Sequence, residues 1–181
     1  MRLFIAINFD DNIREELYNN IEDLRDEAKK GSFSPVENLH LTLAFIGELD
    51  KRNVQTVKDA MIYAVANLGD ELEITLGDFG SFRGKNGGRL YWRGIEETEA
   101  LTELQKTLVR QLKYLGIPVD DKPFVPHITL ARGCVLYDDF DLDYYLDGLY
   151  DETMKVSSID LMESEVINGR RVYTPIYRLK V

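Results

Sequence analysis

At 181 residues, with 22 Lys plus Arg against 32 Asp plus Glu and a formal net charge of −10, the chain has the length of one acidic domain. Its 44% hydrophobic content suffices for a sizeable core and argues against wholesale disorder, while the one cysteine, Cys134, excludes an internal disulfide and a thiolate zinc site. No apolar run approaches the roughly 20 residues that span a bilayer, and the acidic surface argues against coating long nucleic acid, leaving open a local basic pocket around one phosphate.

Arg2 to Phe9 reads as a strand rather than a signal peptide, so a cytoplasmic protein is expected. Asp10 or Asp11 can cap a helix whose apolar positions Ile13, Leu17, Ile21, Leu24 and Ala28 follow the 3.6-residue period. After Gly31 and Pro35 a strand runs from Asn38 to Ile46. Asp50 then opens a helix with Val54, Val57, Met61, Val65 and Leu68 on one face, before the alternating strand Glu71 to Leu76. This half reads β-α-β-α-β.

Turn residues Gly84, Gly87 and Gly88 precede a strand, Arg89 to Arg93, consistent with a hairpin whose loop carries Arg83 and Lys85. Leu101, Leu104, Leu108, Leu112 and Leu115 form the clearest helical stripe, stopped by Gly116 and Pro118. A strand then runs from Pro126 or His127 to Cys134. The acidic stretch Asp138 to Tyr150 lacks the glycine and terminal glutamate of an EF-hand and reads as a solvated helix start. Strands near Met154 to Met162 and from Arg171 to Leu179 flank the turn at Asn168-Gly169. No linker divides the chain, so residues 1–181 are read as a single domain with matching halves, about 1–80 and 88–165.

The sequence contains two histidines, and each opens the same kind of tetrapeptide: His40-Leu41-Thr42-Leu43 and His127-Ile128-Thr129-Leu130. Residues i and i+2 of a strand share a face, so His40 with Thr42 and His127 with Thr129 form two outward pairs. Leu41, Leu43 and Phe45, and Ile128 with Leu130, are expected to pack beneath helices. If a pseudo-twofold axis relates the halves, four polar side chains converge on one cleft. Two imidazoles suit acid–base chemistry near neutral pH, and a threonine hydroxyl can donate to an anionic oxygen or position a water. A phosphodiester fits, because in-line displacement needs one proton removed and another delivered on opposite sides. Two histidines without a nearby carboxylate pattern make a poor metal site, so no metal and no cofactor are expected.

These motifs resemble the signature of the 2H phosphoesterase superfamily, and within it the RNA 2′,3′-cyclic phosphodiesterases, also called 2′–5′ RNA ligases. The similarity runs through Met1 to Ile7, Glu37 to Gly47, Arg89 to Trp92, Pro123 to Arg132 and Ser164 to Tyr173. It implies an α+β fold of two related lobes, with antiparallel sheets lining a central cleft and helices outside. It also implies metal-independent hydrolysis of RNA 2′,3′-cyclic phosphate ends to 2′-phosphates, and reversible 2′–5′ joining of ends such as tRNA halves. By that resemblance His40 is the proton donor, His127 the proton acceptor, and Thr42, Thr129 and Arg132 contact phosphate. Strand spacing does not separate the two histidine roles. Strict alternation also puts Arg132 on the packed face, so either a bulge redirects it or it serves an ion pair.

The segment Lys30 to Pro35 lacks the arginine and tryptophan common in the family there, and Phe33 is the substitute for base stacking. Arg83, Lys85, Arg89 and Lys122 are the remaining candidates for RNA contact. Tyr91 and Trp92 alternate, so at most one faces the cleft. A monomer is expected. The rival substrates are 2′–5′ oligonucleotides and ADP-ribose cyclic phosphate. The rival class is a catalytically silent module that binds phosphorylated ends.

Overall fold

The computed structural model describes residues 1–84, 87–120 and 122–181. Side-chain caps begin three of the helices. Asp10 accepts from the Ile13 N–H at 3.0 Å to start α1 (Asp11–Asp26), Thr98 accepts from Leu101 N–H at 3.2 Å to start α3 (Glu99–Tyr114), and Asp141 accepts from Tyr144 N–H at 3.0 Å to start α4 (Leu142–Asp147). The helix α2 (Val54–Ala66) follows a 3₁₀ turn, Lys51–Asn53, where Asp50 accepts from the Arg52 N–H. Gly116, at φ +77°, ends α3 in the left-handed conformation that a side chain would resist, and Leu115 is the helix's C-cap rather than a further core position.

The strands are β1 (Arg2–Asn8), β2 (Ala28–Phe33), β3 (His40–Glu48), β4 (Glu73–Arg83), β5 (Arg89–Ile95), β6 (His127–Leu136), β7 (Thr153–Lys155), β8 (Ser158–Ile167) and β9 (Arg170–Lys180). They form two antiparallel sheets, ordered β3-β1-β8-β9 and β2-β6-β5-β4-β7. Each sheet takes strands from both ends of the chain, and each carries one His-x-Thr strand. The fold is therefore α+β, as the resemblance implies.

β2 departs from the expected order. Ala28 begins this strand instead of closing α1, whose C-cap is Glu27. The strand escapes a search for apolar alternation because Ala28-Lys-Lys-Gly-Ser-Phe33 is an edge strand, mostly exposed, held by pairing with β6. At its end the Ser34 N–H donates to the Leu130 carbonyl at 2.9 Å, and the Ser34 hydroxyl donates to the Thr129 carbonyl at 2.7 Å.

β1 shows how the sheet divides core from cleft. Leu3, Ile5 and Ile7 join the main core with Ile13, Leu17, Leu41, Leu43 and the α3 leucines, whereas Phe4 and Ala6 face the other way and pack with Met162 and Tyr173. Both faces of β1 are apolar, so its sequence alone hides which one lies near a site.

The second sheet is tied to α1 and to the loop after α4 through Arg93, whose side chain is 0% exposed. Its guanidinium donates to the Gly77 carbonyl, Asn20 Oδ1, the Tyr150 carbonyl and Asp151 Oδ1, at 2.7, 3.0, 2.7 and 2.9 Å. Removing it leaves several of these acceptors unpaired. Arg93→Leu should lower unfolding free energy in urea by about 3 kcal/mol; an unchanged midpoint would show that this cluster does not hold the sheet.

Candidate active site

The two motif strands share a backbone device. His40 Nδ1 lies 2.7 Å from the Asn38 carbonyl, and His127 Nδ1 lies 2.7 Å from the Val125 carbonyl. A carbonyl only accepts, so each Nδ1 carries a proton and donates it, leaving Nε2 as the nitrogen available for proton transfer. His40 Nε2 then accepts from the Thr42 hydroxyl at 3.0 Å.

After each motif the strand bulges at the same place. In β3, Ala6 faces Thr42 while Ile5 faces Ala44, so Leu43 is the extra residue. In β6, Trp92 faces Thr129 while Tyr91 faces Ala131, so Leu130 is the extra residue. Two consecutive side chains, Leu43-Ala44 and Leu130-Ala131, therefore point into the core, and the alternation inverts beyond them. This resolves Arg132, which the bulge turns onto the cleft. It also corrects Phe45, which does not pack beneath a helix but is 39% exposed. The second inward residue of each doublet is alanine, and Leu-Ala directly after His-x-Thr is the sequence signal that could have located both bulges.

A cleft of about 550 Å³ results, lined by His40 and Thr42 from β3, His127, Thr129 and Arg132 from β6, and Phe33 from β2. The lining also includes an arginine and a tyrosine that the motifs do not point to. Arg171, which donates to Ser164 Oγ at 3.0 Å, and Tyr173 both come from β9. They are distant in sequence from either motif, and their only local signal is a basic and an aromatic residue two apart after the turn at Asn168-Gly169.

The other candidates lie elsewhere. Arg83 is exposed at the end of β4, and Arg89 donates to Ser81 Oγ at 2.7 Å away from the cleft lining. Lys122 pairs with Asp120 at 3.0 Å beside a different hollow. Lys85 falls outside the described residues. Phe33 lines the cleft but also packs against the core, with the Arg25 guanidinium 5.1 Å from its ring centroid. Of the Tyr91-Trp92 pair, Tyr91 is core and Trp92 sits edge-on to His127 at 6.3 Å between ring centroids. Gly80 makes this possible, since a Cβ there would fall 2.1 Å from the Trp92 ring.

The two imidazoles differ in their surroundings. His40 is wedged between Phe4 and Tyr173, at centroid separations of 4.8 and 5.2 Å, whereas His127 is exposed. Burial pushes His40 below the ordinary imidazole value of 6.5, and the Asn38 carbonyl partly opposes that shift. Among the described residues, the cleft lining contains two imidazoles and two guanidiniums and no carboxylate, in a chain of net charge −10. Such a lining selects an anion and makes a poor cage for a divalent cation. Among the described residues, no helix is long and apolar enough to cross a membrane.

Residues 9–168 match the model of the 2′-5′ RNA ligase superfamily. A Thermotoga maritima protein named RNA 2′,3′-cyclic phosphodiesterase is 33% identical over 132 residues, covering 73% of this chain and 70% of its own. Among solved structures, TT0787 of Thermus thermophilus superposes with a TM-score of 0.80 at 27% identity, covering 99% of this chain and 97% of its own. E. coli LigT complexed with 3′-AMP does so with a TM-score of 0.74 at 28% identity, again covering 99% and 97%.

The burial of His40 has a consequence for stability. Its folded pKa lies below its unfolded one, so under 6.5 the unfolded chain binds more protons and stability falls with pH until the folded imidazole is protonated too. Between about pH 7.5 and pH 5.5 the melting temperature should therefore drop more steeply for the wild type than for His40→Gln. Parallel curves would mean that His40 is not held neutral by its aromatic walls.

Proposed function

Because this chain belongs to the 2′-5′ RNA ligase superfamily, we propose that it hydrolyses terminal 2′,3′-cyclic phosphates of RNA to 2′-phosphates, with His40 and His127 as proton donor and acceptor and no metal. The observation that carries this reading is the carboxylate-free cleft, in which two imidazoles with fixed tautomers stand among guanidiniums. The Thermotoga maritima relative is named for the same activity.

The chemistry follows from the donors available. Arg132 and Arg171 attract the phosphate anion, and the Thr42 and Thr129 hydroxyls donate to its non-bridging oxygens. His127 Nε2 takes a proton from water as the water oxygen bonds to phosphorus. On the opposite side the P–O3′ bond breaks, and His40 delivers a proton to O3′, leaving the phosphate on O2′. The phosphate charge beside His40 raises the imidazole pKa that burial lowers in the empty cleft, so substrate binding itself favours the protonated donor. An RNA 5′-hydroxyl in place of water would form a 2′–5′ linkage by the same steps, and tRNA halves are ends of this kind.

Hydrolysis of a 2′,3′-cyclic mononucleotide in excess EDTA should yield the 2′-phosphate, identified by phosphorus NMR. His40→Ala and His127→Ala should each cut turnover by about 10²–10⁴-fold, and Thr42→Val or Thr129→Val by about tenfold. Full turnover in either histidine variant, or activity that EDTA abolishes, would refute the mechanism.

A further inference from the structure

The hollow beside Lys122, of about 350 Å³, lies against the solvent face of α3. Cations dominate its walls: Lys106, Arg110 and Lys113 from the helix and Lys122 from the chain that follows, against one carboxylate among the described residues, Asp120. The helical spacing puts the first three on one stripe, opposite the buried leucines of α3. From Leu104 to Val119 the sequence holds these cations and no Asp or Glu, although the net charge of the chain is −10. Positive potential is thus concentrated on one patch of an otherwise acidic molecule. Lys106 and Lys122 sit in exposed pairs, with Glu103 at 3.5 Å and Asp120 at 3.0 Å, that contribute little and yield to an incoming anion. Arg110 is exposed and makes no ion pair or hydrogen bond among the described residues, so its fork of donors is uncommitted.

One short stretch of chain joins this hollow to the cleft. Phe124 is part of the hollow's wall, and the next residue, Val125, lines the cleft and supplies the carbonyl that holds His127. The Asp120 N–H donates to the Phe45 carbonyl at 3.2 Å and Gln105 Nε2 to the Leu43 carbonyl at 3.2 Å, so the walls are fastened to β3 just beyond its motif. We propose that the hollow is a second phosphate subsite, taking a backbone phosphate of the RNA whose cyclic end occupies the cleft. This rests on the phosphodiesterase reading above and extends the substrate from a nucleotide to a chain. A strand that continues past its terminal nucleotide has to cross the rim of the cleft, and at Phe124 it meets four cations instead of acidic surface. Arg110 is the anchor, because a planar guanidinium can take two phosphate oxygens at once, and the lysines act as point charges around it. Phosphate contacts carry no sequence information, so the hollow favours oligonucleotide ends over free cyclic mononucleotides whatever their bases.

The test compares adenosine 2′,3′-cyclic phosphate with a single-stranded hexaribonucleotide ending in the same cyclic phosphate, in the wild type, Arg110→Gln, Lys122→Gln and the double variant. Lys155→Gln, on β7, controls for an equal change of charge elsewhere. Binding of a fluorescent hexamer with a 2′-phosphate end is followed by anisotropy alongside. At low salt the wild type should favour the hexamer in kcat/KM by about tenfold, and the preference should shrink as salt rises. The double variant should lose most of that preference, with the log–log salt slope reduced by about 0.7 for each phosphate contact removed, while mononucleotide turnover stays at the wild-type level. A hexamer preference that survives in the double variant, is absent from the wild type or is lost equally in Lys155→Gln overturns the subsite. Arg110-dependent binding of a polyglutamate peptide, with no such dependence for the hexamer, would assign the hollow to an acidic protein and overturn it too. If neither ester is hydrolysed while hexamer binding still depends on Arg110 and Lys122, the subsite stands and the phosphodiesterase reading falls.

Discussion

Two hydrogen bonds of 2.7 Å, from an imidazole Nδ1 to the carbonyl two residues earlier in the chain, set the terms for everything in the cleft. Each uses backbone immediately before the strand, where the chain has not yet entered the ladder and a carbonyl is still available. The cost is small, because the bond is local and orders few additional groups. The return is a ring fixed in orientation and in tautomer, with Nε2 left for chemistry. Many acid–base sites orient histidine with a carboxylate. Here a carbonyl does so, which keeps negative charge out of a cleft suited to an anion.

The bulges give this arrangement its second feature. A regular strand would continue burying alternate residues, sending Phe45 and Arg132 into the core. Inserting Leu43 and Leu130 places two adjacent side chains inward and turns the next residue out. The same backbone event thus delivers Arg132 to the cleft from one motif strand and turns Phe45 out to solvent on the other. Together with the aromatic walls around His40 and the exposure of His127, it makes two similar motifs chemically unequal. The hydrolysis proposed for this cleft uses that inequality, with one histidine giving a proton and the other taking one.

Much of this was legible in the residues. The paired His-x-Thr spacing locates the four converging polar side chains, the capped amphipathic helices are recognisable by period, and the glycines between β4 and β5 read correctly as the turn of a hairpin. What escaped has physical reasons. β2 is polar because an edge strand needs backbone pairing more than apolar burial. Arg2 and Phe4 lie on a strand apolar on both faces, so periodicity could not show that one face borders the cleft. Arg171 and Tyr173 reach His40 only through the order of strands in the first sheet, which brings the end of the chain beside its beginning. Arg83 and Lys122 were attractive as charges, yet the fold points them elsewhere.

The most direct test of the account is a nitrogen-15 NMR measurement of the two imidazoles in the free protein. In its neutral form each ring should be protonated at Nδ1 with Nε2 bare, the reverse of the tautomer that free histidine favours. Either ring carrying its proton on Nε2 would contradict the claim that the backbone carbonyls of Asn38 and Val125 prepare this pair for proton transfer.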